Sequence, residues 1–562
     1  MFSLFFVNVK IQCKTYTFNS VKMKIAIAQI NLTVGDIHLN QRNILDQIKK
    51  AQSLRVDLLV FPELTVCGYL PEDLLYHQQF IDDCLASVKL ITEQCQEICV
   101  VIGFPRNHPN EPEKLHNSAA FIQNGKIKMV YDKHQLPNYL VFDEHRYFTP
   151  GSHDGILDVE IRGESYKFAV NICEDIWNNA EIVVEQAKHN IDWLINISAS
   201  PYAVDKIGTR IRMLQKRCKD NHVNLVYCNM VGGQDELIFD GTSIIINTKG
   251  KLLAQCETFN SQLLAFNTNA PQLQISNRLD HQTELYQALL ISTRDYFHKN
   301  GFHKAIICLS GGIDSALTAV IAVDALGVEN VIGLLLPSKF SSDHSLDDAN
   351  QLANNLTMVA HTLPIEPLHQ QFEKNLAPFF DNYHQNLTDE NIQARIRGTL
   401  AMAFANNHKA ILLSTGNKSE VAVGYSTLYG DMAGGFAIIK DLFKLQVYEL
   451  CEYRNTLSQV IPQSTLSKPP SAELRPDQKD SDSLPDYEIL DDILKSYIHD
   501  FKDAEQIAAH GHDLTLVKKI LKMVDRNEYK RQQAAPGPRL TKMAFGKDRR
   551  MPITNGYPNN YG

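Results

Sequence analysis

Residues 310–315 read Ser-Gly-Gly-Ile-Asp-Ser and follow an apolar run that predicts a buried strand. Residues 316–326 after them predict a helix. A glycine pair lets backbone N–H groups approach a ligand closely, and a helix N-terminus adds unpaired donors and a positive dipole end. Together, Ser310, Gly311, Gly312, Ile313, Asp314 and Ser315 predict a cradle for phosphate or pyrophosphate, without the Gly-Lys-Ser/Thr ending of a Walker loop. For the glycine pair alone, a tight turn with a capping aspartate is the competing interpretation.

Three further residues are candidates: Glu63 and Cys173 just beyond predicted strands, and Lys133 in a loop before a proline. A cysteine nucleophile needs a general base, which Glu63 could supply. Attack on an amide carbon develops an oxyanion, which Lys133 could stabilise. Taken singly, each residue has an ordinary alternative: an inert buried thiol, a helix-capping glutamate and a solvated lysine.

The elements that must position these residues alternate along the first half. Segments with strand character are 25–30, 57–61, 98–104, 118–123, 167–172, 193–198, 224–229 and 243–247, and helical patterns cover 40–53 and 79–94. Strands separated by helices predict a layered α/β domain.

The second half begins with a helical pattern over 283–300 and continues as a β-α-β-α-β series. Residues 331–337 and 358–365 predict strands, with a helix over 345–356 between them. This series predicts a doubly wound parallel sheet, whose ligands bind at the carboxyl ends of the strands. The loop at Ser310 is one such end, and residues 414–420, after the predicted strand 410–413, are another.

Composition sets limits on the class of protein. The chain has 562 residues, enough for about two to four domains. A net charge of −9 argues against nucleic acid or an anionic membrane as partner, and no apolar run approaches the roughly 18 residues of a membrane span. The eleven cysteines form no C-x-x-C pair, which favours reduced thiols and a cytoplasmic location.

Four segments are expected along the chain. Residues 1–22 precede a strand pattern that starts afresh at Met23, and they are expected to be an extension outside the fold. Residues 23–270 form the first domain, 271–283 a linker and 284–562 the second domain.

Glu63, Lys133 and Cys173, in this chain order, resemble the nitrilase or carbon–nitrogen hydrolase superfamily, over approximately residues 23–270. The resemblance implies a four-layer α-β-β-α fold and amide hydrolysis through a thioester. The strings 136–148 and 198–202 look like the glutaminase branch. That branch implies that Tyr139, Ser200 and Lys206 bind glutamine. Glu174 and Asp175, directly after the cysteine, are interpreted as charges at a helix start.

The Ser-Gly-Gly-x-Asp-Ser string resembles the N-type ATP pyrophosphatases, which form adenylates and release pyrophosphate. The strings 390–397, 415–420, 440–444, 470–488, 527–531 and 539–550 narrow the resemblance to the NAD synthetase family, over approximately residues 284–556. It implies that Thr415 contacts ATP and that Asn391, Glu420 and Lys530 contact the dinucleotide. Asp314 and Glu420 would hold magnesium.

The two resemblances together imply ATP-dependent amidation of nicotinic acid adenine dinucleotide to NAD, with ammonia channelled from glutamine. They also imply a homodimer of the synthetase part, with small molecules as the only substrates. Three rival interpretations remain at this point: another adenylating ligase of the Ser-Gly-Gly group, a first domain kept only as an interaction scaffold, and a synthetase that uses external ammonia.

Overall fold

The computed structural model describes residues 23–177, 181–269, 273–380, 386–471, 473–476, 478 and 480–557. The expected N-terminal extension, residues 1–22, lies outside this range, as do residues 270–272 at the expected domain joint. Among the described residues, no helix combines the length and apolarity that a membrane crossing requires.

The first half is built on two sheets. Its strands are β1 (Lys24–Gln29), β2 (Leu58–Val60), β3 (Cys99–Asn107), β4 (Leu115–Gln123), β5 (Lys126–Asp132), β6 (Ile156–Ile161), β7 (Glu164–Ile172), β8 (Trp193–Ser198), β9 (Asn224–Asn229), β10 (Val231–Gln234), β11 (Leu237–Asp240), β12 (Ile244–Ile246), β13 (Leu252–Gln255), β14 (Gln262–Asn267) and β15 (Gln274–Ile275). One sheet has the order β14-β1-β2-β3-β4-β5, the other the order β15-β13-β12-β9-β8-β7-β6, and β10 and β11 form a hairpin. The last strand, β15, lies inside the segment expected to be linker and pairs with β13.

Helices cover the outer faces of both sheets: α1 (Ile37–Ser53), α2 (Gln78–Gln94), α3 (Glu181–Ala187) and α4 (Lys206–Asn221). Successive side chains of a strand point to opposite faces of the sheet, so both faces of β1 must be covered. Ala26 and Ala28 pack toward α1 and α2, while Ile25 and Ile27 enter the core between the sheets. On the far side, α3 and α4 pack on the second sheet through a separate core. The expected α-β-β-α order of layers is confirmed.

The second half contains a parallel sheet with helices on both faces. Its strands are β16 (Ala305–Cys308), β17 (Val331–Leu335), β18 (Val359–Thr362) and β19 (Ile411–Leu413). Its helices are α5 (His281–Lys299), α6 (Ile313–Leu326), α7 (Asp343–Asn355), α8 (Glu366–Leu376), α9 (Leu387–His408), α10 (Lys418–Val423), α11 (Lys444–Leu457), α12 (Gln463–Ser467), α13 (Tyr487–Asp500), α14 (Ala504–Ala508), α15 (Leu514–Arg526) and α16 (Glu528–Arg531).

The strand order is β18-β17-β16-β19. From β16 the chain adds β17 and β18 on one side and β19 on the other, so the topological switch point lies between β16 and β19. Packing of α5, α6 and α11 on one face and of α9 on the other makes the sheet doubly wound, as expected. The carboxyl ends of β16 and β19 lie side by side, because Ile307 pairs with Leu413. Such a switch point is where ligands of these sheets bind.

Candidate active sites

The first site forms where three strands of the first half end. Glu63 follows β2, Lys133 follows β5 and Cys173 follows β7, which places the three residues on both sheets and at one end of the sandwich. Lys133 Nζ lies 2.7 Å from Glu63 Oε1, so two of the residues are in direct contact. The structure therefore brings the predicted base and the predicted oxyanion group together.

A second carboxylate, Glu144, shares the ammonium of Lys133. Lys133 Nζ lies 2.8 Å from Glu144 Oε1, and the side chains of Lys133, Glu63 and Glu144 are all fully buried. Burial alone would lower the pKa of Lys133, but Glu144 and Glu63 raise it well above its usual range. Burial and the charge of Glu63 raise the pKa of Glu144 to about 7, although Lys133 opposes the rise. Lys133 is therefore positively charged at neutral pH.

Glu63 is fixed by further hydrogen bonds to both of its oxygens. Asn117 Nδ2 donates to Oε1 at 2.8 Å, and the backbone N–H of Ala199 donates to Oε2 at 2.9 Å. On the other side of the lysine, the hydroxyl of Tyr69 donates to Glu144 Oε1 at 2.9 Å. A buried network held by this many donors keeps its geometry without rearrangement during a reaction.

Cys173 opens a short 3-10 turn, Cys173–Ile176, and has a left-handed φ of 43°. It is 4% exposed. Burial and the negative charge of Glu63 raise the pKa of its thiol well above the ordinary value, while Lys133 lowers it. The thiol is therefore neutral at pH 7, and attack by its sulfur requires a base.

The predicted glutamine-binding residues lie around Cys173. The hydroxyl of Tyr139 donates to both carboxylate oxygens of Glu174, at 3.1 and 3.0 Å. Lys206 Nζ lies 5.3 Å from the centre of the Trp177 ring and donates to the carbonyl of Pro201 at 2.8 Å. Burial and the charges of Arg210 and Arg539 lower the pKa of Lys206 to about 8.

Ser200, the third predicted glutamine-binding residue, is buried directly after the strand β8 and the residue Ala199 that holds Glu63. Its backbone N–H donates to Asn229 Oδ1 at 2.8 Å. Tyr139 and Lys206 contact Glu174 and Trp177, which follow Cys173 within four residues of the chain.

The second site is the loop between β16 and α6. Gly311 has a φ of 76°, and a Cβ there would collide with the carbonyl oxygen of Ser345. The hydroxyls of Ser310 and Ser315 lie 3.1 Å apart, and Ser315 Oγ donates to the carbonyl of Gly312 at 2.9 Å. Gly312 is the N-cap of α6, so Ile313 and Asp314 form its first turn. The loop is a closed turn at the switch point, in which the N–H of Ser310 donates to Ser315 Oγ at 3.3 Å and that of Gly312 to Ser310 Oγ at 3.2 Å.

Carboxylates from the two neighbouring strand ends meet at Lys444, the first residue of α11. Lys444 Nζ lies 2.6 Å from Asp314 Oδ2 and 2.8 Å from Glu420 Oε1. Asn417 Nδ2 donates to Asp314 Oδ1 at 2.8 Å. Burial and Asp314 raise the pKa of Glu420 to about 7, and Lys444 opposes the rise. Two carboxylates thus converge on one positive charge beside the Ser310 loop.

The predicted ATP- and dinucleotide-binding residues border the same region. Thr415 is partly exposed in the loop after β19, next to the Ser310 loop across the strand pair. Asn391 on α9 accepts a hydrogen bond from Thr427 Oγ1 at 2.7 Å, and Lys530 Nζ donates to the carbonyls of Gly424 and Ser426 at 2.8 Å each. Asn391 and Lys530 therefore contact the same short segment, residues 424–427. This segment directly follows α10, the helix that carries Glu420.

Sequence reasoning gave no role to Glu144, Lys444 or Asn117. Glu144 and Lys444 lie in strings that carried the family resemblances, but their partners are 11 and 130 residues away along the chain. Asn117 lies near the start of β4 between His116 and Ser118, where three polar residues in succession gave it no distinguishing signal.

Comparisons with known proteins find a family match for each half of the chain. A family model described as carbon-nitrogen hydrolase matches residues 24–273, and one described as NAD synthase matches residues 285–534. Curated relatives named glutamine-dependent NAD(+) synthetase include those of Acinetobacter baylyi, 45% identical over 95% of this chain and 98% of that protein, and of Aquifex aeolicus, 41% identical over 95% and 100%.

Solved structures agree as well. The glutamine-dependent NAD+ synthetase of Acinetobacter baumannii, solved with ADP, is 40% identical and superposes with a TM-score of 0.76 over 96% of this chain and 99% of that chain. The synthetase of Cytophaga hutchinsonii shares the fold at 21% identity, with a TM-score of 0.82 over 96% and 100%. The combination of both domains disfavours the rival ligases of the Ser-Gly-Gly group. The chain belongs to the glutamine-dependent NAD(+) synthetases, ligases in which a glutamine-hydrolysing domain serves ATP-dependent NAD synthesis.

Proposed function

We propose that the two sites divide the reaction between them. The first releases ammonia from L-glutamine, and the second uses it to amidate nicotinic acid adenine dinucleotide with ATP. The observation that supports this division is the contact of Lys133 with Glu63 and Glu144 in one half, separate from the Ser310 loop with Asp314 in the other. The domain limits 23–270 and 284–562, joined by 271–283, are part of this proposal.

In the first site, Glu63 accepts the thiol proton of Cys173 as the sulfur attacks the side-chain amide carbon of glutamine. Lys133 stabilises the oxyanion that develops on the carbonyl oxygen. When the adduct collapses, its carbon–nitrogen bond breaks, Glu63 returns the proton and ammonia leaves. Water then attacks the γ-glutamyl thioester and gives one proton to Glu63. The carbon–sulfur bond breaks, Glu63 returns the proton to the sulfur, and the products are glutamate and the regenerated thiol. Tyr139, Ser200 and Lys206 hold the substrate.

In the second site, a carboxylate oxygen of the nicotinate attacks the α-phosphorus of ATP, and the bond to the bridging oxygen of the β-phosphate breaks. Pyrophosphate leaves in the cradle of residues 310–315, where backbone N–H groups and the α6 N-terminus meet its charge. Ammonia attacks the acyl carbon of the adenylate, AMP leaves, and the amide formed is NAD. Thr415 contacts ATP, while Asn391, Glu420 and Lys530 contact the dinucleotide.

Asp314 and Glu420 are the residues that would hold magnesium. Their carboxylate oxygens suit a hard cation, and in this structure they already converge on the ammonium of Lys444. When bound, magnesium would neutralise phosphate charge. The protein itself contributes Asn417, which orients Asp314, and Lys444, whose charge stays beside the cradle.

We further propose a homodimer built on the synthetase part, located in the cytoplasm. The support for the dimer is a set of exposed apolar side chains on and beside α8, the edge strand β18 and α9: Val359, Leu368, Phe372, Phe379, Leu387 and Met402.

The cytoplasmic location is supported by the cysteines within the described residues, which are all free, as a reducing compartment requires. The negative net charge supports partners other than nucleic acid.

The experiment that tests the division of labour compares the wild type with Cys173→Ala, each supplied with glutamine or with ammonium chloride. We expect the variant to lose NAD formation from glutamine and to keep most of its rate with ammonia, because only the first site needs the thiol. Equal loss with both nitrogen donors would refute the division.

A further inference from the structure

The carboxylate of Asp175 lies between the two segments that carry Cys173 and Lys133. Its side chain is fully buried. Oδ1 accepts from the backbone N–H groups of His134 and Gln135, at 3.2 and 2.8 Å. Oδ2 accepts from the backbone N–H of Ile172 at 3.0 Å and from the Tyr131 hydroxyl at 2.8 Å. One carboxylate thus joins the end of β7 to the end of β5.

The contacts bracket the two reacting residues. On β7, the N–H of Ile172 comes directly before Cys173. On the β5 side, the three donors lie on either side of Lys133, at positions 131, 134 and 135. None of these four donors is the Cys173 thiol or the Lys133 ammonium. Asp175 therefore holds the backbones that carry these groups, and not the groups themselves.

We infer that Asp175 is a positioning residue, which fixes the nucleophile Cys173 relative to the oxyanion-stabilising Lys133 through hydrogen bonds to both backbones. This inference rests on the proposed roles of those two residues. It assigns Asp175 a more specific task than a charge at the start of a helix.

The geometry requires an acceptor at both oxygens. Three of the four donors are backbone N–H groups, which cannot reverse their polarity, whereas a tyrosine hydroxyl can donate or accept. Burial raises the pKa of Asp175, and the hydrogen bonds from Ile172 and Gln135 oppose that rise. The left-handed backbone at Cys173 is a sparsely populated conformation for a residue with a side chain, so it depends on surrounding contacts of this kind.

Asparagine is the informative replacement, because it keeps the size of the side chain and turns one acceptor into a donor. If its oxygen serves the N–H groups of His134 and Gln135, its NH₂ group opposes the N–H of Ile172 next to the nucleophile. The turn at Cys173 should then shift relative to Lys133. Misplacement of a reacting group by about 1 Å can reduce a rate by about 100-fold.

The test measures glutamine hydrolysis and NAD synthesis by the full chain carrying Asp175→Asn. We expect kcat for glutamine hydrolysis to fall about 10- to 100-fold. KM for glutamine should change less than about threefold, because the residues that bind glutamine are unchanged. The rate of Cys173 alkylation by a chloroketone analogue of glutamine should fall as well. NAD formation from ammonia should stay within about twofold of the wild type.

Asp192→Asn is the matched control. Asp192 also accepts from a backbone N–H of β7, that of Lys167 at 2.7 Å, but it is exposed and lies at the opposite end of the strand from Cys173. This variant should retain the wild-type kcat and alkylation rate.

Tyr131→Phe is the second variant, and it decides the matter if Asp175→Asn fails to fold. It removes one donor and leaves the carboxylate with its three backbone contacts, so we expect a smaller fall in kcat, of about two- to tenfold. An unchanged kcat in the folded Asp175→Asn variant, or in Tyr131→Phe if that is the only soluble protein, would overturn the inference. Equal loss of the glutamine- and ammonia-driven rates would assign Asp175 a purely structural role. Failure of the proposed function would show separately, in Cys173→Ala.

Discussion

Lys133 is the residue around which the first site is arranged, because a single ammonium serves two buried carboxylates. Glu63 and Glu144 lie 2.7 and 2.8 Å from its nitrogen. Burial and the charge of Glu63 raise the pKa of Glu144 to about 7, although the shared ammonium of Lys133 opposes the rise. Glu63 has two further donors, Asn117 and Ala199, and this difference in hydrogen bonding separates the roles of two otherwise similar glutamates.

At the same scale, Lys206 predicts a pH dependence of glutamine binding. Burial and nearby arginines lower its pKa to about 8, so its ammonium is charged below pH 8 and increasingly neutral above it. If the charged form binds the carboxylate of glutamine, KM for glutamine should rise as the pH increases through about 8. Steady-state kinetics from pH 6.5 to 9.5 would measure this rise.

Lys206→Met provides the control for that measurement, since the α-amino group of free glutamine titrates in a neighbouring range. The variant should have a higher KM at pH 7 and should lose the step near pH 8. A wild-type profile without that step, or a variant that keeps it, would remove Lys206 from substrate binding.

At the scale of elements, the segments that carry the predicted chemistry could be recognised because each is a short apolar run with a polar residue at or just beyond its end. β2, β7 and β16 are of this kind, and the structure has a strand at each predicted place. β5 could not be recognised in this way, because only its last residues, Tyr131 and Asp132, are buried. Lys133 was identified from its place in the loop, and the strand that positions it was missed.

The hairpin β10–β11 was missed for a different reason. Its two strands are four residues each, and β10 packs against α5 of the other half. Gly233 approaches α5 so closely that a Cβ would collide with the Cα of Ser292. That partner is distant in sequence, so no local pattern encodes the pairing.

The backbone of the Ser310 loop predicts that its two adjacent glycines differ strongly in how well they tolerate a side chain. Gly311→Ala forces a side chain into a left-handed φ of 76° and against the backbone of Ser345. We expect it to reduce NAD formation with either nitrogen donor by at least about tenfold, since a shift of the cradle weakens the binding of ATP. Initial rates and ATP binding by isothermal titration calorimetry would measure the effect.

Gly312→Ala is the matched control, because Gly312 has an ordinary φ of −87° and a Cβ there meets only the hydroxyl of Ser310, at 3.3 Å. It should lose far less activity than Gly311→Ala. Similar losses in the two variants would show that any added methyl group blocks the site, and would contradict the conformational explanation.

At the scale of the whole molecule, the two halves are joined by an interface that includes a shared apolar core. Asp295 on α5 accepts from Asn31 Nδ2 and from the N–H of Gly233, both at 2.7 Å. Tyr202 and Val231 of the first half pack in the same apolar core as Leu285 of α5. A cavity of about 450 Å³ lies at this joint, lined by residues of both halves that include Glu236, Lys440 and Arg531. α5 therefore contributes to the relative placement of the two sites.

Lys299, the last residue of α5, allows a test of this dependence. Its Nζ donates to the carbonyls of Leu32 and Gly233 at 2.6 Å each. Lys299→Met leaves both carbonyls unpaired, at a cost of about 1–3 kcal/mol each. We expect the joint to loosen, so that ammonia escapes to solvent and is protonated before it reaches the adenylate. Glutamate released per NAD formed should rise, while synthesis from added ammonia continues.

Lys304→Met is the control for this variant, because Lys304 is exposed and lies just before β16. Its ratio of glutamate to NAD should equal that of the wild type. If Lys299→Met is folded, as judged by its ammonia-driven rate, and also keeps the wild-type ratio, then the joint made by α5 does not control the transfer. Ammonia would then have to pass by a route that is insensitive to the contacts of Lys299 with Leu32 and Gly233.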